Sequence, residues 1–366
     1  MRAHFDSVRE VLLIYDFLIV GQGLAGSILA WQLYQAGAKV LVVDGQLSSA
    51  SRVAAGLITP VTGKRWVKTS HMDTLLPFAC GFYQNLGDQL NRQLYITKPL
   101  LRLFQDESDK NKALKRQQDP AYSAYLGDFQ PPGSAGYGLN DNVGGLWIRQ
   151  TGYIASHLLC EAVQHWLVER NLLVREKLAF NQLKKDHDQV QWNAYKAKKI
   201  IFCEGWRVAQ NPWFQSLPWQ PSQGDIITCQ SFDPLPPFTV SRGIWLLPLQ
   251  AGIFRIGATY QWHPLDEKPS QTGKNYLLSQ LKQMFQKPIQ VDCIEQKTGI
   301  RPNTLDQQPI MGCHPGFPQL VLFNGFGSKG GLQIPYYSQC LRDFFLHDQP
   351  LPTHVDIERY HDRLAH

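Results

Sequence analysis

Three regularly spaced glycines are the residues of this chain from which a chemical function can first be inferred. Gly21, Gly23 and Gly26 form the pattern Gly-x-Gly-x-x-Gly, directly after the apolar residues 17–20 and before a helical pattern at Leu24–Gln35. In a strand-turn-helix unit, the first glycine permits a tight turn, the second lets the backbone approach a pyrophosphate, and the third lets the helix pack against the strand. The free N–H groups and positive dipole end of the helix then face the phosphates. The spacing therefore predicts a dinucleotide-binding turn.

An acidic residue after the next apolar run supports the same interpretation. Residues 40–43 read Val-Leu-Val-Val, and Asp44 follows them, 23 positions beyond Gly21. A carboxylate at about this distance accepts hydrogen bonds from the adenosine ribose, and its charge disfavours a 2′-phosphate. FAD or NAD is therefore expected rather than NADP. The alternative is that Asp44 is an ordinary solvated residue at a strand end.

A loop of small residues follows at positions 48–65 and ends in a turn rich in glycine and proline. Small side chains suggest close approach of the backbone to a ligand, and in a Rossmann-type protein such a loop lies near the carboxyl edge of the sheet, where a cofactor extends. Arg52 carries the planar fork that binds phosphates. The alternative is an ordinary surface loop.

A second glycine-rich turn lies near the C-terminus, where residues 324–332 read Asn-Gly-Phe-Gly-Ser-Lys-Gly-Gly-Leu. It follows the apolar residues 320–323 and precedes a helical pattern that extends to about residue 346. Because its spacing is not Gly-x-Gly-x-x-Gly, it does not predict a second nucleotide-binding domain. A helix N-terminus here would instead stabilise negative charge elsewhere on a cofactor, such as the pyrimidine end of a reduced flavin.

The composition argues against several classes of protein. The 366 residues are 43% hydrophobic and 18% charged, which is ordinary for a globular chain long enough for two domains. The net charge is +6, but the basic residues are scattered, so nucleic acid is not an expected partner. The seven cysteines form no Cys-x-x-Cys pair, which argues against a disulfide framework, a zinc site or a dithiol centre. We therefore expect no metal, and a reducing, cytoplasmic compartment.

The N-terminal residues 1–10 are interpreted as a disordered extension or an upstream start. Residues 11–20 are apolar, but Asp16 interrupts them and they are too short to span a bilayer. Their second half belongs to the strand before the first glycine turn. We expect neither a signal peptide nor a transmembrane helix.

The elements that must position these turns follow from the periodicity of the remaining chain. The predicted segments are helices at 71–93, 151–171 and 268–286, strands at 95–104 and 289–300, a small antiparallel meander at 173–183, 189–195 and 198–202, and further antiparallel strands across 223–260. Residues 105–144 are polar and rich in glycine and proline, and we interpret them as an irregular insertion outside the cofactor domain.

With these stretches in chain order, the sequence resembles the D-amino-acid oxidase superfamily of FAD-dependent oxidoreductases, the group with glycine oxidase, sarcosine oxidase and D-amino-acid dehydrogenase. The stretch 324–335 and the loop that ends at Pro60 look most like the oxidase half of the bacterial enzyme that modifies 5-aminomethyl-2-thiouridine in tRNA. The motifs that carry the family resemblance are the Gly21 turn with Asp44, residues 51–60, 147–153, 204–206, 257–259 and 299–302, and the second glycine turn with Pro335.

The resemblance implies an α/β fold with a Rossmann-type FAD-binding domain and a mixed antiparallel-sheet substrate domain. The FAD-binding domain would be discontinuous, formed by residues 11–80, 145–210 and 300–366. The substrate domain would comprise residues 81–144 and 211–299. Oligomeric state does not follow from these features.

The resemblance also implies where the cofactor would bind. The first glycine turn and Asp44 would hold the FAD pyrophosphate and ribose, the loop after them would line the phosphates and flavin, and the second glycine turn would surround the pyrimidine ring. Phe180 would meet the adenine through its backbone, and Gly205 and Trp206 would close that side. The residues implied are Gly21, Gly23, Leu24, Ala25, Gly26, Asp44, Ser51, Arg52, Gly56, Leu57, Ile58, Phe180, Gly205, Trp206, Gly325, Phe326, Gly327, Ser328, Lys329, Gly330 and Gly331.

Three residues are candidates for substrate binding, and none is identified as catalytic. In similar enzymes the arginine matching Arg301 often holds the substrate carboxylate, and a planar guanidinium suits that role; the alternative is a structural Arg-Pro turn. Trp245 falls where glycine oxidase has a substrate-facing tyrosine. Because an indole cannot accept a hydrogen bond, this difference leaves undecided whether the substrate is an amino acid. Lys329 would contact flavin or substrate, or would simply be solvated.

The implied activity is oxidation of the CH–NH bond of an amino acid or secondary amine by hydride transfer to flavin N5, followed by hydrolysis of the imine. The flavin provides the redox chemistry, and oxygen or another carrier would accept the electrons. One alternative is an oxidase that acts on an amine carried by a larger molecule, such as modified tRNA. The other is a flavin-binding protein without amine oxidase activity.

FAD is expected to be held non-covalently. Sarcosine-oxidase relatives attach the flavin through a cysteine just before an Asn-Thr-x-Asp pattern, which matches residues 303–306 here. This alignment puts Gly299 at the cysteine position.

Overall fold

The computed structural model describes residues 14–186 and 188–364. The extension expected at residues 1–10 lies outside this part of the chain. The predicted α/β fold is confirmed, and two eight-stranded sheets dominate it. A three-stranded sheet and a two-stranded sheet complete the strand pairing given by the described residues.

The strands, in chain order, are β1 (Ile14–Val20), β2 (Val40–Val43), β3 (Leu57–Ile58), β4 (Val61–Thr62), β5 (Val67–Lys68), β6 (Tyr95–Thr97), β7 (Leu100–Leu103), β8 (Leu126–Gln130), β9 (Gly145–Ile148), β10 (Gly152–Ile154), β11 (Leu173–Val174), β12 (Lys184–Lys185), β13 (Val190–Trp192), β14 (Tyr195–Phe202), β15 (Ser222–Ser231), β16 (Thr239–Arg242), β17 (Ile244–Pro248), β18 (Ile253–Gly257), β19 (Val291–Arg301), β20 (Ile310–His314) and β21 (Phe317–Asn324).

The α-helices are α1 (Leu24–Gln35), α2 (Ala50–Val53), α3 (Met72–Leu90), α4 (Glu107–Gln117), α5 (Ser156–Glu169), α6 (Gln271–Met284), α7 (Gly330–His347) and α8 (His361–Leu364). None of the helices in the described ranges has both the length and the apolar character needed to cross a bilayer.

The first sheet has the order β11-β2-β1-β14-β13-β12, β21 also pairs with β14, and β20 pairs with β21. β1 lies between β2 and β14 and is parallel to both. Residues 17–20 of β1 are apolar without alternation because both faces of the strand are covered there. Phe17 and Ile19 pack into a core with α1, α3, α5 and α7, while Leu18 and Val20 pack into a second core on the opposite face.

The second sheet has the order β19-β15-β18-β17-β16-β7-β9-β8. Its neighbours are antiparallel except for β16 and β7. Helix α6 covers one face, where Leu277, Leu281 and Met284 are buried against the sheet. This sheet therefore has its own hydrophobic core.

The meander expected at residues 173–202 is only partly correct. β12, β13 and β14 do form antiparallel neighbours. However, β14 is also a central parallel strand beside β1, and β11 pairs in parallel with β2. The parallel pairing of β14 could not be predicted because its buried part, residues 200–202, is too short to distinguish a parallel strand from a strand of a meander.

Residues 105–144 were predicted to be an irregular insertion, and this prediction is wrong about their local structure. It contains helix α4 and strand β8. Only Ala113 of α4 is fully buried, so the helix lacks an apolar stripe. Its helical signal lies at its ends, where the Asp106 side chain caps the first turn and basic residues occupy the last turn.

Two further boundaries differ from expectation. The single strand expected at 95–104 is two strands, β6 and β7, separated by Lys98 and Pro99, and the helix expected from residue 151 begins at Ser156 after strand β10.

The domain limits stay a prediction. Strand β9 pairs with β7 in the second sheet, although the sequence assigns it to the FAD-binding domain, and α3 continues across residue 80.

Candidate functional site

A cavity of about 1070 Å³ is lined by residues of both large sheets. Val20, Val43 and Cys203, at or just beyond the carboxyl ends of β1, β2 and β14, lie in its wall. Ligands of open α/β sheets bind outside the carboxyl ends of the strands, so this is the position in which a cofactor is expected.

The first glycine turn forms one end of the cavity. Gly21 has a φ of +99°, a conformation that side chains rarely adopt, and a Cβ on Gly26 would collide with the Gly21 carbonyl oxygen. A Cβ on Gly23 would lie 3.3 Å from the hydroxyls of Ser49 and Ser51. The φ of Gly21 and the close packing of Gly26 agree with the turn and packing positions expected of the motif, and the N-terminus of α1 borders the cavity through Leu24 and Ala25.

Asp44 is connected directly to this turn. Its Oδ1 accepts a 3.1 Å hydrogen bond from the backbone N–H of Gln22, and its Oδ2 accepts one of 3.1 Å from the N–H of Gln46. Each carboxylate oxygen has a second lone pair, so the group can also accept hydrogen bonds from a ribose. Asp44 lines the cavity.

The second glycine turn forms another part of the wall. Gly325 and Gly327 have φ values of +85° and +53°, and Gly325 packs so closely that a Cβ would lie 2.9 Å from Thr304 Cγ2. Helix α7 begins at Gly330, and its first residues face the cavity. Burial lowers the pKa of the neighbouring Lys329 ammonium. The turn thus supplies a helix N-terminus and a cation in one place.

Most of the residues predicted to bind the cofactor line the cavity. They are Gly21, Gly23, Leu24, Ala25, Asp44, Ser51, Gly56, Leu57, Ile58, Phe180, Gly205, Trp206, Phe326, Gly327, Ser328, Lys329, Gly330 and Gly331. Gly26 and Gly325 lie behind the wall, in packing positions. Arg52 is not brought to the cavity: it is exposed, and its Nη2 lies 3.4 Å from Gln22 Oε1.

Arg301 lies at the end of β19 and also lines the cavity. Its Nη1 and Nη2 donate only long hydrogen bonds, both of 3.4 Å, to the Thr259 carbonyl oxygen. No carboxylate within the described residues forms an ion pair with it. Burial lowers the pKa of the Arg301 guanidinium, but an arginine keeps its charge in proteins. The guanidinium is half-buried and interacts electrostatically with the buried Asp225 without forming an ion pair, so its fork is free to bind an anion.

Trp245 of β17 faces the same cavity. Its ring packs on Gly257, where a Cβ would lie 3.0 Å from Cη2. Among the described residues, no histidine lines the cavity. The wall near Arg301 therefore offers a cation and aromatic surface rather than a strong base.

Two residues of the cavity wall were not predicted as site residues from the sequence. Tyr260 packs against Arg301, with the guanidinium Cζ 4.1 Å from its ring centroid. Burial raises the pKa of the Glu204 carboxyl to about 7, while Asn211 Nδ2 donates a 2.8 Å hydrogen bond to its Oε2. The available signal for Glu204 was a carboxylate directly after a buried strand.

These residues fit a flavin dinucleotide. The glycine turn leaves the space that a pyrophosphate needs, Asp44 suits a ribose, and the N-termini of α1 and α7 both reach one cavity. The volume is large enough to hold more than a small substrate.

Comparisons with known proteins agree with this geometry. The family model "DAO: FAD dependent oxidoreductase" matches residues 16–343. The tRNA 5-methylaminomethyl-2-thiouridine biosynthesis bifunctional protein MnmC of Marinobacter nauticus is 25% identical over 358 residues, which are 89% of this chain and 54% of that protein. The chain thus spans about half the length of this relative. Glycine oxidase of Pseudomonas aeruginosa is 22% identical, over 91% of this chain and 95% of its own.

Solved structures show the same fold. The glycine oxidase of Geobacillus kaustophilus superimposes with a TM-score of 0.79 at 20% identity, and the match covers 94% of this chain and 97% of that chain. The glycine oxidase of Bacillus cereus gives a TM-score of 0.78 at 19% identity, with 92% and 96% coverage.

Proposed function

The chain belongs to the DAO family of FAD-dependent oxidoreductases, and on that premise we propose that it oxidises the CH–NH bond of a small amine that carries a carboxylate. An amino acid or an N-substituted amino acid is the proposed substrate. Oxygen or another carrier is the proposed electron acceptor. The cysteines are all free thiols, which supports a cytoplasmic location as part of the same proposal.

The position of Arg301 is the observation that carries this proposal. Its guanidinium lies in the wall of the cavity that contains the dinucleotide-binding turn, and it lacks an ionic partner within the described residues. A substrate carboxylate would provide that partner with two parallel hydrogen bonds. The charge of the substrate would then be paired after it leaves water.

The residues of the chain orient the substrate and the cofactor. The first glycine turn and Asp44 hold the dinucleotide, while α7 and Lys329 place positive charge at another part of the cavity. The bound flavin supplies a hydride acceptor for the carbon that carries the nitrogen. Arg301 fixes the carboxylate, so this carbon is held in one orientation, and Trp245 closes the wall beside it.

The amine reacts in its neutral form and needs no strong base from the protein. Among the described residues the cavity wall contains no histidine, and the Oε2 of its Glu204 carboxyl accepts a hydrogen bond from Asn211. The imine product hydrolyses in water to a carbonyl compound and an amine or ammonia.

A second candidate is oxidation of an amine carried by a larger molecule. The 25% identity to MnmC, named for tRNA 5-methylaminomethyl-2-thiouridine biosynthesis, favours it. Binding of tRNA that weakens steeply with salt would support this candidate over a free amino acid. Bound FAD that no amine reduces would instead support a flavin-binding protein without oxidase activity.

An anaerobic substrate panel tests the proposal. The purified yellow protein is mixed without oxygen with glycine, N-methylglycine, D-alanine, L-proline and a 2-hydroxy acid, and the visible flavin band is followed. We expect bleaching by at least one amino acid and none by the hydroxy acid. Bleaching by no amino acid, or by the hydroxy acid alone, would contradict the proposal.

A further inference from the structure

We propose that Gly224 and Tyr260 are positioning residues that hold the Arg301 guanidinium in the orientation that receives the substrate carboxylate. This inference rests on the proposed function, in which Arg301 binds the substrate. It assigns a role in substrate selection to two residues that do not themselves supply the charge.

Gly224 provides the space in which the guanidinium lies. It belongs to β15, which pairs antiparallel with β19, and Ser222, two residues before it, pairs with Arg301. A Cβ on Gly224 would lie 2.6 Å from Arg301 Nη1 and 2.7 Å from Cζ, closer than real Cβ contacts. Any side chain at this position would therefore displace the guanidinium.

Backbone conformation does not explain this glycine. Gly224 lies within a ten-residue strand and does not have a positive φ. An alanine would fit the extended backbone, and the three atoms nearest to its methyl group all belong to the Arg301 guanidinium. The requirement for glycine at this position is thus a requirement for the location of Arg301.

Tyr260 provides a surface on which the guanidinium rests. Arg301 Cζ lies 4.1 Å from the centroid of the Tyr260 ring, within the range of a cation–π contact. The preceding residue, Thr259, places its carbonyl oxygen 3.4 Å from both Nη atoms. Two consecutive residues thus contact the same guanidinium, one through its ring and one through its backbone.

Thr259 is itself held on β15. Its Oγ1 accepts a 2.7 Å hydrogen bond from the backbone N–H of Asp225, the residue after Gly224. The strand that leaves space for the guanidinium therefore also holds the residue whose carbonyl oxygen contacts it.

None of these contacts neutralises the charge of Arg301. The position of the guanidinium is restricted by Gly224, by the face of the Tyr260 ring and by the Thr259 carbonyl oxygen at 3.4 Å. The positive charge remains available to an anion. Binding and reaction both depend on a carboxylate held in one place, and misplacement by about 1 Å costs on the order of 100-fold in rate.

A double-mutant cycle on Gly224 and Arg301 tests the inference. Gly224→Ala is compared in the wild-type and the Arg301→Ala backgrounds with the fastest amino acid of the panel. The limiting rate constant of anaerobic flavin reduction and the apparent Kd of the amino acid are measured, and their ratio corresponds to kcat/KM for the amine. We expect kcat/KM to fall on the order of 100-fold in the wild-type background and to change less than about 2-fold in the Arg301→Ala background. Equal losses in both backgrounds would overturn the inference, because Gly224 would then act independently of Arg301.

Three variants complete the experiment. Gly81→Ala is the control, since Gly81 lies in α3 with open space around its Cβ position. Tyr260→Leu should lower kcat/KM roughly 3- to 30-fold, and Tyr260→Phe, which keeps the ring, should retain nearly all activity. If Gly224→Ala does not fold, the Tyr260 variants decide the question: equal activity of Tyr260→Leu and Tyr260→Phe would overturn the role of the ring.

The same data separate this inference from the proposed function. A large loss in Arg301→Ala with no loss in Gly224→Ala would overturn the positioning role and leave the proposed function standing. No loss in Arg301→Ala would overturn both. FAD content should stay at the wild-type level in every variant, because none of the substituted residues belongs to a glycine turn or to the Asp44 strand end.

Discussion

The backbone N–H of Gln22, inside the first glycine turn, donates a 3.1 Å hydrogen bond to the carboxylate of Asp44 at the end of the neighbouring strand. This hydrogen bond joins the glycine turn, which is expected to bind the pyrophosphate, to Asp44, which is expected to bind the ribose. The two are therefore fixed relative to each other before a dinucleotide binds, which lowers the cost of ordering the site.

Replacement of Gly23 by valine should abolish FAD binding. A Cβ here already lies 3.3 Å from two serine hydroxyls, and the added methyl groups would occupy the space for the pyrophosphate. The measurement is the ratio of flavin to protein absorbance after purification. Gly81→Val, at an exposed position with open space, is the control and should purify yellow. Normal flavin content in Gly23→Val would show that the turn does not bind FAD.

Replacement of Asp44 by alanine should weaken FAD binding without removing it. A lost hydrogen bond to a charged group corresponds to about 1.5–3 kcal/mol, or roughly 10- to 150-fold in Kd. Titration of the apoprotein with FAD, followed by flavin fluorescence, measures this change. Asp128→Ala removes an exposed carboxylate paired with Arg149 and should leave the Kd unchanged. An unchanged Kd in Asp44→Ala would assign Asp44 to an ordinary strand end.

The flavin should be released when the protein is denatured. The position at which similar enzymes carry the linking cysteine is Gly299, which has no thiol. Precipitation with acid should leave a colourless pellet and a yellow supernatant, measured by absorbance. A pellet that remains yellow would mean that a covalent link forms elsewhere.

The Glu204 carboxyl should make stability depend on pH. Burial raises its pKa from 4.5 to about 7, so between these values the folded protein binds a proton that the unfolded chain has released. This contribution to stability is fully present below pH 4.5 and is lost as the pH rises through about 7. Its full size is on the order of 3 kcal/mol.

Glu204→Gln removes this titration while keeping an oxygen for Asn211. Denaturant unfolding of both proteins from pH 5 to pH 8 should show the variant gaining stability relative to wild type as the pH rises. A difference between the two proteins that does not change with pH would mean that Glu204 titrates normally.

The parts of the fold that the sequence predicted are those with local signals. The turn from Gly21 to Gly26, the acid at 44 and the turn at 324–332 each combine glycine spacing with a flanking strand and helix. Helix α4 has its signals only in its caps and terminal charges, because it buries little apolar surface. The place of β14 beside β1 depends on pairing between residues about 180 positions apart, which no local pattern encodes.

The candidate site divides in the same way. Arg301 was predicted to bind the substrate from a family resemblance, and the structure places it in the cavity wall. Gly224 and Tyr260 were not identified as partners of Arg301, because β15 and β18 come together with β19 only in the folded sheet. Arg52 was predicted to bind the cofactor from its position in the loop. The direction of an exposed arginine side chain is not fixed by its position in the sequence, and the Arg52 side chain turns toward Gln22.

The most direct test compares flavin reduction in wild type and Arg301→Ala, with N-methylglycine, or a faster amino acid from the panel, and with the same amine lacking its carboxylate. Arg149→Ala, which removes an exposed arginine, is the control. Wild type should strongly favour the acid, and Arg301→Ala should lose about 2 to 5 kcal/mol of this preference, or roughly 30-fold to several thousand-fold in kcat/KM. Arg301→Lys should recover only part of the loss, because it restores the charge without the fork. Equal reduction rates of wild type and Arg301→Ala by the acid would contradict carboxylate recognition at this site.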